Sequence, residues 1–184
     1  FATEHRAFGY DFERPVARFE EALSVIRPLL RGETLTHAGE FYRTEGATLM
    51  PKGLRAAGPP IMLGLLRGGP RMLRLVAEYA DQWNCMLPFA DSRVANYIAA
   101  WENVRTACEK HGRDPASLAR NVTVGVCLSA NYPLPGALPL RGSTQQLQDA
   151  CAAYKEQGVE TLSMVIEPCT PATLDTLAPV LAAL

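Results

Sequence analysis

Between Pro59 and Asn84 the sequence sets out residues able to hold an anion. An apolar run, Ile61-Met62-Leu63, gives way to Gly64-Leu65-Leu66-Arg67-Gly68-Gly69, and Pro70 then opens an apolar segment, Arg71 to Ala80, with the character of a helix. A helix N-terminus leaves its first backbone N–H groups without partners and carries a partial positive charge, so a phosphate set against it is held by direction and dipole together. Glycines let a backbone approach such a group closely, and Arg67 or Arg71 would add charge-assisted hydrogen bonds. The same glycines also suit a plain strand-to-helix turn that needs their φ angles. Asp81 to Leu87 read as a second buried strand, which completes a strand–helix–strand unit. The first functional expectation is therefore a cofactor phosphate held by Gly64, Leu65, Leu66, Arg67, Gly68, Gly69 and Arg71.

Other chemistries find less support. The glycine-containing stretch lacks the Lys-Ser/Thr of a P-loop, and no Rossmann fingerprint is present. No His/Cys/Asp/Glu spacing matches a zinc or di-iron site, so no metal is expected. His37 falls in an expected hairpin and His111 at a helix end beside Gly112, both positions that favour solvation over catalysis. Cys169, after the last apolar run, could line a pocket, although a lone buried cysteine is more often inert filler.

The elements that must position these residues repeat along the chain. Phe19, Ala22, Leu23, Ile26 and Leu30 recur at helical spacing and predict a helix over 15–31, bent by Pro28. Leu35, His37, Phe41 and Arg43 alternate around Gly39, so 33–50 reads as a small hairpin. From 59 to 184 four strands are expected, near Ile61, Trp83, Asn121 and Leu162, each followed by a helix. Asp91 or Ser92 would cap a helix carrying Val94, Ile98, Trp101, Val104 and Cys108 on one stripe, stopped by Gly112. Ser143 with Gln146 forms a capping box ahead of Leu147, Cys151 and Tyr154, and Thr170-Pro171 starts the last helix. Ligands of such β/α repeats sit beyond the C-terminal ends of the strands. That directs attention to Gly64–Gly69, Trp83–Met86, Asn131-Tyr132 and Glu167–Thr170.

Several of these words, in order, resemble the luciferase-like flavin- and F420-dependent oxidoreductases, in their C-terminal part. They are Pro59-Pro60-Ile61-Met62, Gly69-Pro70-Arg71-Met72-Leu73-Arg74-Leu75 and Ala80-Asp81 with Trp83-Asn84. Upstream, Glu4-His5-Arg6-Ala7-Phe8-Gly9-Tyr10 and Arg18-Phe19-Glu20-Glu21-Ala22-Leu23 resemble the segment after that family's fourth strand. Downstream, His111-Gly112-Arg113-Asp114-Pro115 and Gly142-Ser143 through Gly158-Val159 stand where the family has similar words. The resemblance implies an α/β fold of the (β/α)8 TIM-barrel type, with only the second half, about four β/α units, in 1–184 as a single domain. It implies FMN or coenzyme F420 as cofactor and redox chemistry, oxidoreductase or monooxygenase, on a small organic substrate. It implies that Trp83 and Asn84 border the ring pocket, and that His5 lies where a side chain could act as an acid–base or phosphate partner. The alternative from another class is a non-catalytic half-barrel that binds a flavin or a partner half without turnover.

Bulk properties agree with a soluble, cytoplasmic protein. The 184 residues are 48% hydrophobic and 20% charged, with a net charge of -1 that offers no surface for nucleic acid or anionic membrane. No apolar run approaches the ~20 residues of a membrane span. Five cysteines without a close pair suit a reducing compartment. A whole barrel of this type takes ~250 residues, and four parallel strands would leave two unpaired edges and one open face. A homo-oligomer or a separate N-terminal half-barrel is the expected remedy, and the chain by itself is expected to be dimeric, aggregated or marginally stable.

Overall fold

A computed structural model describes residues 2–87, 91–129 and 138–182. The chain divides into two compact units, Phe1–Ile61 and Met62–Leu184.

The first unit contains α1 (Ala2–Ala7), α2 (Pro15–Leu30) and an antiparallel pair, β1 (Leu35–Ala38) and β2 (Arg43–Ala47). Pro15 occupies the first turn of α2, where its missing N–H is no loss, and Pro28 is accommodated inside the helix. The hairpin is tied to α2 by one carboxylate. Glu21 accepts from the backbone N–H groups of Glu40 (3.1 Å), Phe41 (3.0 Å) and Tyr42 (2.8 Å), and its Oε1 lies 3.2 Å from His37 Nε2. Burial pushes this carboxyl up, but the N–H groups of Tyr42 and Phe41 and the His37 ring outweigh that, so it titrates below its ordinary value. His37 is thereby a structural partner rather than a solvated side chain, a correction to the sequence expectation. Arg14 and Arg18 lie over the Phe41 ring and extend the same fastening.

In the second unit the four expected strands form one parallel sheet in the order β3 (Met62–Gly64), β4 (Gln82–Met86), β5 (Ala119–Cys127), β6 (Thr161–Glu167). Helices α3 (Pro70–Tyr79), α4 (Val94–Lys110), α5 (Thr144–Glu156) and α6 (Pro171–Leu181) follow in alternation. Register sets the faces. Leu63 pairs with Trp83 and Trp83 with Arg120, and Cys85 with Val122 and Val122 with Leu162; these side chains turn toward the helices. Met62, Gly64, Gln82, Asn84, Met86, Asn121, Thr123 and Ser163 alternate with them onto the opposite face. The core lies between sheet and helices, with Trp83, Cys85, Val122, Val124 and Val126 essentially inaccessible.

Of the three side-chain caps expected at helix starts, two form. Ser143 and Gln146 exchange both capping-box bonds (2.8 and 3.3 Å), and Thr170 Oγ1 accepts from Thr173 N at 3.2 Å. The start of α4 differs. Its N-cap is Arg93, with no side-chain cap, while the Asp91 carboxylate accepts from the Arg93 amide and guanidinium. Ser92 is buried, its Oγ accepting from Gly125 N at 2.9 Å and its carbonyl accepting the Tyr154 hydroxyl at 2.8 Å. Ser92 thus ties α4 to β5 and α5 instead of capping. Its buried stripe is Tyr97, Ala100, Val104, Ala107 and Cys108, and Ile98 of the expected stripe is partly exposed.

Candidate functional site

The loop 64–69 joins the C-terminal end of β3 to α3, and three features define it. Leu65 N donates to Asn84 O at 3.0 Å, prolonging the β3–β4 ladder by one residue. Leu65 O accepts the Trp83 indole N–H at 2.8 Å, so both backbone groups of Leu65 are committed to the fold. This removes the Leu65 amide from the expected phosphate donors, a correction. Its side chain instead lies beneath Gly68, where an added Cβ would come within 2.7 Å of it.

Beyond Leu65 the carbonyl of Gly69 accepts from Leu73 N at 3.2 Å, which starts the α3 ladder. The amides of Gly68 and Gly69 donate to no described protein atom. Gly69 is the N-cap of α3, with φ -68° and no side chain to cap the first turn. None of Gly64, Gly68 and Gly69 has a positive φ. A Cβ on Gly69 would meet nothing within 4 Å, and one on Gly64 would only touch Asn84 O at 4.0 Å. Neither backbone angle nor internal contact therefore requires glycine at 64 or 69, which leaves a bare shelf beside an uncapped helix start.

The arginines diverge from the shelf in different ways. Arg71 is exposed in the first turn of α3. Arg67 is exposed and lines, with Leu66, Asp91, Asn96 and Asn103, a cleft of about 180 Å³ along the flank of α4.

Trp83 and Asn84 separate, as adjacent strand residues must. The expectation that Trp83 borders a ring pocket is corrected. Its indole is fully buried on the helix side, stacked on Tyr97 (5.8 Å, 25°) and Trp101 (5.7 Å, 30°). A large ring opposite two aromatic side chains of α4 removes more apolar surface there than it could at the open face. Asn84 takes the opposite face, its Oδ1 accepting the Thr123 hydroxyl at 3.2 Å. One step toward the strand beginnings, Asn121 Nδ2 donates to Gln82 Oε1 at 3.1 Å.

Asn121 and Thr123 were missed as candidates. The alternation of Val122, Val124 and Val126 was legible, and its complement is the polar half of the same strand. His5 belongs to the first unit, where its ring meets Phe12 edge-on at 4.9 Å. Cys169 is exposed, not buried filler. Asn131-Tyr132 lie outside the described residues. His111 Nδ1 is 3.9 Å from Glu78 Oε1. Its neighbour Arg113 donates to the carbonyls of Ala77 and Ala80, so the His111–Pro115 stretch fastens the end of α3.

The sequence and its four parallel β/α units match a known group of proteins. The family model for luciferase-like monooxygenases matches residues 1–132, and the chain belongs to that family. It is 38% identical over 121 residues to the phthiodiolone/phenolphthiodiolone dimycocerosates ketoreductase of Mycobacterium kansasii, across 65% of this chain and 32% of that protein. The chain thus spans about a third of the curated relatives it matches. Its fold resembles the coenzyme F420-dependent tetrahydromethanopterin reductase from Methanopyrus kandleri, with TM-score 0.68, 14% identity, and coverage of 90% of this chain and 61% of that one. It also resembles the monooxygenase RslO1 from Streptomyces bottropensis, with TM-score 0.73, 19% identity, and coverage of 98% and 64%. The fold class is accordingly the (β/α)8 barrel type, present here as four β/α units. Among the described residues no helix is long and apolar enough to cross a membrane.

Proposed function

We propose that these four units hold the phosphate end of FMN or coenzyme F420 in an oxidoreductase acting on a small organic substrate. The observation that carries this reading is the shelf at Gly64 and Gly69, where glycine answers to no demand of the fold and the α3 start has no side-chain cap. An anion there would receive the Gly68 and Gly69 amides and the favourable end of the helix dipole. Arg71 would stand at the same helix start, and Arg67 would approach from the α4 flank. The isoalloxazine-type ring would supply the redox chemistry when bound. This chain would contribute anchoring and orientation, with Asn84 and Thr123 offering polar contacts on the open face. The dependence of the M. kandleri reductase on F420 favours the deazaflavin as one candidate. The family's breadth keeps FMN as the other.

Gly69→Asp tests the shelf. A carboxylate at this N-cap should raise stability by a few tenths of a kcal/mol while occupying the amides a phosphate needs. Fluorescence titration with FMN and with F420 should then show affinity lower by about tenfold or more, from lost charge-assisted bonds and added repulsion. Unchanged affinity for both cofactors, with the melting temperature raised, would return the loop to a plain turn. Binding without turnover in the full-length enzyme, on an aldehyde, ketone and alcohol panel, would favour the non-catalytic half-barrel.

A further inference from the structure

The first unit contains a cleft of about 470 Å³ that the reading above does not use. Its inner wall is the last turn of α2, through Leu29 and Leu30, and its outer wall is the segment after β2, through Leu49 and Leu54. The two walls are held at a fixed separation. Gly58, at φ +74°, passes so close to α2 that a Cβ on it would sit 2.2 Å from Leu30 O. Only glycine satisfies both that angle and that approach. The outer wall carries apolar side chains on an exposed segment, since Leu49 is 46% accessible and Leu54 is fully exposed.

Two cations stand on the same cleft. Lys52 lies across Gly32, just past the C-terminus of α2, its Nζ only 2.6 Å from where a Gly32 Cβ would be. Arg55 is exposed and follows Leu54 directly. Neither makes an ion pair with any described residue, and no acidic side chain lines the cleft. A second copy of this chain fits poorly, because a two-fold contact centred here would set each pair of cations against the other. An apolar channel of this volume with unneutralised cations suits one molecule with an apolar body and an anionic head.

We propose that this cleft binds a long-chain carboxylate, its hydrocarbon between Leu30 and Leu54 and its head against Arg55 and Lys52. The site is independent of the cofactor shelf.

The test is a titration of the whole chain with cis-parinaric acid, whose fluorescence rises on burial, against its uncharged methyl ester. Leu54 and Arg55 are exposed, so substitutions there leave the fold intact, as circular dichroism would verify. Saturable binding of the acid is expected, with Leu54→Asp weakening it on the order of tenfold through lost apolar burial. Arg55→Glu should weaken it about fivefold, and the ester should bind comparably more weakly than the acid. FMN should not displace the probe. Equal binding of acid and ester, indifference to both substitutions, displacement by FMN, or no saturable binding would each overturn the proposal. So would binding confined to anionic phospholipid vesicles, or a dimer that Leu54→Asp dissolves and the acid does not.

Discussion

The two faces of the parallel sheet are built from the same strands, residue by residue, and do opposite work. Toward the helices stand Trp83, Cys85, Val122, Val124 and Val126, essentially inaccessible. Toward the other side stand Gln82, Asn84, Asn121 and Thr123, paired amide to amide and amide to hydroxyl, with Met62 and Met86 about half exposed. A period of two makes this division unavoidable, since each strand must send alternate side chains to opposite faces. One face therefore sets stability, and the other is the one we propose for recognition. Trp83 is the residue on which the two meet, because its ring is in the core while its N–H holds Leu65 in the shelf loop.

Trp83→Ala should break the comparison most severely. It removes a fully buried ring stacked on two others, and large-to-small changes of this kind cost about 3–5 kcal/mol. Urea unfolding of the whole chain would show this as a lower midpoint with an unchanged slope. A change that spares stability but abolishes cofactor binding would place the ring on the open face after all. Trp83→Phe separates the two roles. It keeps an aromatic body and deletes the bond to Leu65 O, with an expected loss of about 1 kcal/mol. Amide exchange at Leu65 should quicken before that of the core of β5.

Residue patterns foretold the architecture. Four strands with four helices, the capping box at Ser143 and Gln146, and the Thr170 cap were written in local signals that tertiary packing had no reason to override. Two things were not. The facing of Trp83 depended on which side of β4 met the aromatic residues of α4, and no local signal gives that. The start of α4 depended on Ser92 being drawn into a buried bond with Gly125 N, a contact across 33 residues. Isolated glycines posed the subtler problem. Gly64 and Gly69 could be turn formers or part of an anion site, and their φ values and the free space around them are not written in local sequence.

Thiol chemistry sharpens the comparison by a smaller margin. Burial pushes the Cys85 thiol up to about 12, and raises Cys108 and Cys151 as well, whereas Cys169 is exposed beyond β6. A thiolate is the reactive form, so at pH 8 one cysteine should react quickly with an aromatic disulfide reagent, and the four buried ones only on unfolding. Raising the pH toward 9 should leave Cys85 silent, since its thiol stays protonated. Rapid native labelling of Cys85 would mean that the helix-side face opens.

The smallest effect on stability is expected from the open face, and there the sign of a second readout decides. Asn84→Ala removes one partly exposed side-chain bond, to Thr123, whose hydroxyl water can satisfy, so the loss should stay within about 1 kcal/mol. Asn121 is more enclosed, and Asn121→Ala would leave the Gln82 amide without its partner, so its loss should be the larger of the pair. If the open face receives a cofactor or substrate, both substitutions should weaken its binding by more than they lower stability, because a ligand's polar edge would lose contacts that water replaces only when the ligand is absent. Stability losses matched by equal binding losses would point to simple loosening of β4 and β5. Stability losses alone would make the polar ladder a device for keeping this face hydrated, and would leave recognition to the shelf at Gly68 and Gly69.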